Sequence, residues 1–213
     1  NLAGYMSWDQ LRELKTAGVT IGSQTHTHPH MHRLSAERVR EEIEISNQIF
    51  LEQLGERPGL FAYPYGEYSR FVVDAVKEAN FKAAFGQNSG IIHKDENFFE
   101  LPRFAFNENY GALSRLKLAI NGLPLKIKEL TPEDMVLLQN PPIYGFTLDE
   151  EMSPISQLRC FASDYGKLEV SLLGLRAEIR LPGPLPSPRG RINCTMPAGK
   201  ERWRWYGRQF LTP

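Results

Sequence analysis

The chain has 213 residues, 41% of them hydrophobic, and 25 Lys+Arg balance 25 Asp+Glu for a formal net charge of zero. That length and apolar content suffice for one large domain or two modest ones, and a balanced chain with no Lys/Arg-dense helix or basic tail argues against a nucleic-acid partner. No run approaches the roughly 18 apolar residues of a membrane span, and no charged start leads into an apolar signal region.

In chain order, Ser7 with Gln10 three residues later and Gly18 as a stop predicts a helix over 7–17 with a capping box. Val19-Thr-Ile21 then reads as the end of a buried strand reaching Gly22. It opens into Ser23-Gln-Thr-His-Thr-His-Pro-His-Met-His32, which carries four of the five histidines, His26, His28, His30 and His32, at alternate positions. Imidazole is the commonest protein ligand for a transition metal, so histidines crowded at a strand end point to a metal site; a polar turn rich in histidine is the competing reading.

The next helix spans 35–54, with a Ser35 cap, apolar residues at Val39, Ile43, Ile49 and Leu54, and a Gly55 stop. Gly59–Tyr63 is a short buried strand ending in Pro64-Tyr65-Gly66, followed by a helix over 69–79 and a strand over 82–85. This helix–strand cadence predicts a parallel sheet or barrel, in which sites gather at the carboxyl ends of strands. Both the histidine run and Pro64-Tyr65-Gly66 fall at such ends.

From 123 to 145 the texture is a Pro-rich connection with Pro124, Pro132, Pro141 and Pro142. Beyond it, half-buried alternation over 158–163, 167–173, 175–181, 190–195 and 202–210 predicts a β-rich module, with Leu181–Pro188 as a loop. Cys160 and Cys194 lie in this module, either bridged in an oxidising compartment or as two buried thiols. Trp203 and Trp205 would share one strand face, as a structural core in preference to a sugar-stacking platform.

Gln24-Thr25-His26-Thr27-His28-Pro29, Phe61-Ala62-Tyr63-Pro64-Tyr65-Gly66, Phe85-Gly-Gln-Asn-Ser-Gly90 and Leu101-Pro-Arg-Phe104, in this order and spacing, resemble the polysaccharide deacetylases of carbohydrate esterase family 4, the NodB-homology group. Gly190–Thr195 resembles a β-module found behind some bacterial members. The resemblance implies a metal-dependent hydrolase on a distorted (β/α) barrel, whose divalent cation, most often Zn2+, is held by one Asp and two His, polarises an acetyl carbonyl and activates water. A second Asp is the general base and a backbone N–H receives the developing oxyanion.

Laid on this chain, the family pattern His-Ser/Thr-x-x-His puts Gln24 and His28 at the ligand positions and Thr25 at the loop brace, with His26 and His32 as substitutes for the weakly donating Gln24 amide. Pro64 and Gly66 shape the turn that aims the Tyr65 N–H at the bound carbonyl. Ala62 stands where many members carry an Arg that steadies the catalytic Asp, and Arg103 is the candidate to replace it. The family's Thr-Phe-Asp-Asp-Gly motif is absent, and Asn121 occupies the region of its late general-acid histidine. His93 reads as a solvated loop residue.

A parallel barrel takes on the order of 200 residues, and far fewer precede the β-module. The expectation is therefore that Asn1 starts mid-barrel, that the Asp pair and any secretion signal lie in a missing N-terminal segment of the same protein, and that the 213 residues alone are inactive. The chain is thus read as α/β: the later part of a polysaccharide deacetylase barrel over 1–122, a connection over 123–145, and a small sandwich-like β-rich module over 146–213. The expected activity of the full-length protein, periplasmic or secreted, is metal-dependent removal of acetyl groups from an acetylated bacterial polysaccharide. A non-catalytic glycan-binding protein on the same fold is the alternative.

Overall fold

The computed structural model describes residues 4–149, 152 and 154–212. Helix α1 (Trp8–Thr16) has the expected capping box: Ser7 Oγ accepts from the Gln10 amide and Gln10 Oε1 accepts from the Ser7 amide. It buries no residue, and is tied down by Arg12 and Lys15, which donate to the Gln53 and Leu54 carbonyls at 3.0 and 2.7 Å. Those carbonyls end α2 (Ala36–Leu54), where unpaired acceptors and the helix dipole favour cations. Ser35 caps the start of α2, and Gly55, at φ 77°, takes the left-handed conformation that closes it.

Val39 and Ile43 of α2 pack with Val72, Val73 and Val76 of α3 (Arg70–Glu78) in one buried cluster. Beneath them β1 (Leu60–Ala62) pairs in parallel with β2 (Ala83–Phe85), and Phe85 bridges in parallel to Leu101. The expected strand over 19–22 does not form. Val19 is 46% exposed, so little apolar burial holds that segment against a neighbour, and pairing is confined to a parallel bridge between Ser23 and Phe61. The order Ser23, β1, β2, Leu101, with α2 and α3 as crossovers, is the β/α arrangement that the sequence cadence predicts. Helix α4 (Leu113–Ile120) lies outside the predicted elements: Ala112 offers no capping side chain, and the stripe of Leu113, Leu116 and Ile120 at helical spacing is exposed instead of buried. Asn121 closes it by donating to the Lys117 carbonyl.

The remaining strands form two sheets. One holds β3 (Leu123–Pro124), β11 (Trp203–Leu211), β10 (Arg189–Pro197), β6 (Arg159–Ala162) and β7 (Gly166–Lys167), in that order. The other holds β4 (Ile127–Thr131), β5 (Tyr144–Leu148), β9 (Arg176–Arg180) and β8 (Glu169–Leu173). All pairs are antiparallel except β3 with β11. Residues 123–145 are therefore not merely a connection. They supply β3, β4 and the start of β5, because Leu125 and Ile127 pack against the sandwich core despite the flanking prolines.

Alternation along β10 turns Gly190, Ile192, Cys194 and Met196 inward, and Cys194 lies opposite Cys160, to which it is disulfide-bonded. Strand β11 is a shared wall. Phe210 belongs to the sandwich core, whereas Leu211 belongs to the cluster of Val72 and Ile43. This explains why β11 is buried on successive residues from Gly207 to Leu211 instead of on alternate ones. Trp203 is 41% exposed and departs from the core placement expected of it, because it lies at the far end of β11 where that second layer has ended.

Candidate active site

Four loops leave the carboxyl ends of the parallel segments on one side of the sheet: the histidine run after Ser23, Pro64-Tyr65-Gly66 after β1, Gly86-Gln87-Asn88 after β2, and Pro102-Arg103-Phe104 after Leu101. The histidine run is anchored to α2 through Glu42. This carboxylate is 1% exposed and accepts from both the amide and the hydroxyl of Thr27, each at 2.8 Å, while Arg38 lies 3.1 Å from it. Thr25, at φ 68°, uses its hydroxyl to accept the His28 amide at 3.0 Å, and His28 itself sits at φ 58°. Two left-handed residues so close together fold the run back on itself, which carries His28 to Tyr65.

Pro64-Tyr65-Gly66 forms one tight turn with Gly66 N bonded to the Tyr63 carbonyl at 2.8 Å and Glu67 N to the Pro64 carbonyl at 3.0 Å. Tyr65 is near the start of that turn, where amides have no acceptor within the helix, and its φ of 57° is uncommon for a residue with a side chain. Gly66 is required: at φ 70°, a Cβ there would lie 2.4 Å from the Gln87 Cβ and 2.6 Å from the Gln87 amide nitrogen.

Aromatic contacts hold the Tyr65 ring in place. His30 stacks on it at 4.2 Å between centroids, His28 meets it edge-on at 4.6 Å, and the Arg189 guanidinium lies 5.8 Å from its centre. Below this group sits Glu67, with its side chain 2% exposed. One carboxylate oxygen is 2.5 Å from His30 Nδ1 and 3.4 Å from His32 Nδ1; the other is 3.4 Å from Arg189 Nε. Burial pushes the His32 imidazole below its usual pKa, with Glu67 opposing that shift.

The structure thus brings together His28, His30, His32 and Tyr65. It leaves His26 exposed and outside this group, because the run is not an extended strand with its four imidazoles on one face. Gln24 is half-buried at the strand end. Arg103 donates from Nε to the Gly86 carbonyl at 2.8 Å, linking the third and fourth loops, and burial lowers its pKa. His93 is not a solvated loop residue. It is half-buried, accepts the Asp95 amide on Nδ1 at 3.3 Å and has its pKa lowered chiefly by burial.

Three residues of this region escaped the sequence analysis, Glu42, Glu67 and Arg189. Glu42 had a visible signal, a carboxylate next to Ile43 on the apolar side of α2. Glu67 had only its place after Pro64-Tyr65-Gly66.

Among the described residues no group of three or more His, Cys, Asp or Glu is arranged to hold a metal ion. His30 and His32 turn Nδ1 toward Glu67, and His28 forms no ion pair with a carboxylate among the described residues. The donors among the described residues do not make a complete metal centre. Two cavities flank the region without including His28 or Tyr65. One of 500 Å³ is lined by His32, Ser69, Val136, Leu137 and Leu138; the other, of 530 Å³, lies between the halves and is lined by Asn88, His93, Glu96, Glu100, Trp205 and Arg208.

Residues 2–84, which contain the His28 loop and the Tyr65 turn, match the sequence profile of the polysaccharide deacetylase family. Over this segment the chain is similar to polysaccharide deacetylases. The chain is 20% identical over 99 residues to YxkH of Bacillus subtilis, provisionally named a polysaccharide deacetylase, and 28% identical over 67 residues to the uncharacterized YlxY of the same organism. These matches take in 46% and 32% of this chain but only 36% and 21% of the two relatives. Among solved structures, the deacetylase PplD of Streptococcus pyogenes in complex with acetate superposes with a TM-score of 0.51 at 23% identity, over 55% of this chain and 51% of that one. A polysaccharide deacetylase from Bacillus cereus gives 0.51 at 20% identity, over 56% of this chain and 38% of that one. Such likeness shows the fold, that of the (β/α) barrel deacetylases.

Proposed function

We propose that this chain supplies one side of a site that hydrolyses acetyl groups from an acetylated bacterial polysaccharide, with Zn2+ as the assisting cation. The observation that carries the reading is the contact of His28 with Tyr65 within the deacetylase segment. His28 would offer an imidazole nitrogen to such a cation, and Gln24 at the other motif position would offer its amide oxygen. The Tyr65 amide, held in its turn by Pro64 and Gly66, offers a fixed dipole to the oxygen that gains charge. Arg103 offers the rest of its guanidinium to the carboxylate that takes the proton from water. Thr25 keeps His28 in place. A cation held there would need carboxylate ligands in addition to these donors. A periplasmic or secreted location fits the Cys160–Cys194 bridge, since such bonds persist in oxidising compartments.

A second reading, a non-catalytic glycan-binding protein on this fold, is favoured by the incomplete donor set and by Gln24 at a ligand position. Acetate release from acetylated oligosaccharides by the full-length protein separates the two. Release that stops with a chelator and returns with zinc is the expected result. Tight glycan binding with no acetate under any divalent metal supports the second reading instead.

A further inference from the structure

The deacetylase profile ends at residue 84, yet one side chain touching the Tyr65 turn comes from residue 189, at the start of β10 in the sandwich. We propose that Arg189 is a positioning residue: the β-module reaches into the candidate site and holds the Tyr65 turn in its working shape. The inference rests on the acetyl-hydrolysis reading for its kinetic consequence and on geometry alone for the contact.

Three observations converge on it. Glu67 is almost wholly buried, and a carboxylate withdrawn from water is tolerated only where cations or hydrogen-bond donors replace the water. Its partners divide by oxygen, with the two histidines of the loop on one and Arg189 on the other. Removing Arg189 would leave one oxygen of a buried anion without its cation, and the carboxylate would turn or draw in water. His30 would move with it, since its Nδ1 is bonded to the same group.

The second observation is that His30 stacks directly on Tyr65, so a shift of His30 loosens one face of that ring. Arg189 also acts without an intermediary, as its guanidinium stands within cation–π range of the Tyr65 ring. The third is the backbone of Tyr65 itself. A left-handed residue with a side chain persists only where its surroundings hold it there, and here those surroundings are His28, His30 and Arg189. Arg189 is in turn fixed by its strand: it pairs with Leu211 of β11, and the Pro188 carbonyl before it accepts the Thr212 amide at 3.1 Å. The chain of contacts runs from the sandwich through Arg189 and Glu67 to the amide that faces the substrate.

The test uses the full-length protein and the variants Arg189→Ala and Arg189→Lys. In acetate release, Arg189→Ala lowers kcat about tenfold with KM within about twofold, and Arg189→Lys recovers part of the loss, because a misplaced oxyanion donor weakens the transition state more than the ground state. A kcat equal to that of the unaltered protein overturns the proposal, as does a loss that merely follows the unfolded fraction. If the unaltered protein releases no acetate, the acetyl-hydrolysis reading fails, and the contact is decided by NMR of the His30 and Tyr65 rings. Displaced resonances for both in Arg189→Ala support the clasp, and unmoved ones refute it.

Discussion

In the α/β half, β1 and β2 are each three residues long and run into loops that carry the candidate site, whereas in the sandwich β10 and β11 pair along nine residues each and β10 is cross-linked to β6. The two halves distribute order differently. The sandwich owes its order to continuous ladders around a core of Tyr144, Phe146, Ile192 and Phe210. The α/β half gives less of its chain to ladders and more to loops, of which the histidine run and the Tyr65 turn are held by the buried carboxylates of Glu42 and Glu67. Rigidity made in one half reaches the chemistry of the other where they touch, and β11 and Arg189 are the contacts nearest the candidate site. Damage to the sandwich interior should therefore appear as lost stability, and damage at the loops as lost function.

The largest effect expected is on the sandwich. Replacing both Cys160 and Cys194 by Ala removes a crosslink between residues 34 apart in sequence, and should cost about 3 kcal/mol of stability through the freed unfolded chain. Thermal melting of this variant should drop by several degrees while the ring contacts of Tyr65, followed by NMR, persist in the folded fraction. Loss of those contacts at temperatures where the sandwich is still folded would erase the distinction between the halves.

Gly66→Ala should cost about 2 kcal/mol, because the Cβ must enter the space of Gln87 and the position is left-handed. Its acetate release should fall further than its stability loss accounts for, since the Tyr65 amide is displaced with the turn. Retained release in a destabilised protein would show that the turn is a structural bend only.

A smaller effect concerns the junction between the halves, where burial, opposed by the His93 amide and reinforced by Glu100, pushes Glu96 up to about 7 from an ordinary 4.5. The folded protein thus keeps this proton at pH values where the unfolded chain has released it. Stability should decline as pH rises from about 4.5 to about 7 and level off above. Glu96→Gln should remove that decline, leaving the variant about 1 kcal/mol more stable above the range once access to water is allowed for. Denaturant melts at pH 5 and pH 8 check it, and an equal decline in both proteins would assign the pH dependence to other groups.

Much of the frame was legible in the sequence, since its signals are local. The Ser7–Gln10 box, the Ser35 and Gly55 ends of α2, and the alternation in β10 each lie within a few residues of what they specify. The approach of His28 to Tyr65 followed from the rule that loops at strand carboxyl ends converge. What escaped depends on contacts across the chain. Glu67 has meaning only beside His30, His32 and Arg189, the last of them more than a hundred residues away. Residues 123–131 read as a connection because Pro124 and Pro132 mask two short strands.

The most direct test of the account is the rate of acetate release from an acetylated oligosaccharide by full-length protein carrying His28→Ala, measured with zinc. His28 is exposed and touches only the edge of the Tyr65 ring, so its loss should leave the overall fold intact. The account predicts a fall of about 100-fold or more, far beyond what any accompanying shift in melting temperature explains. Release at the rate of the unaltered protein would contradict it.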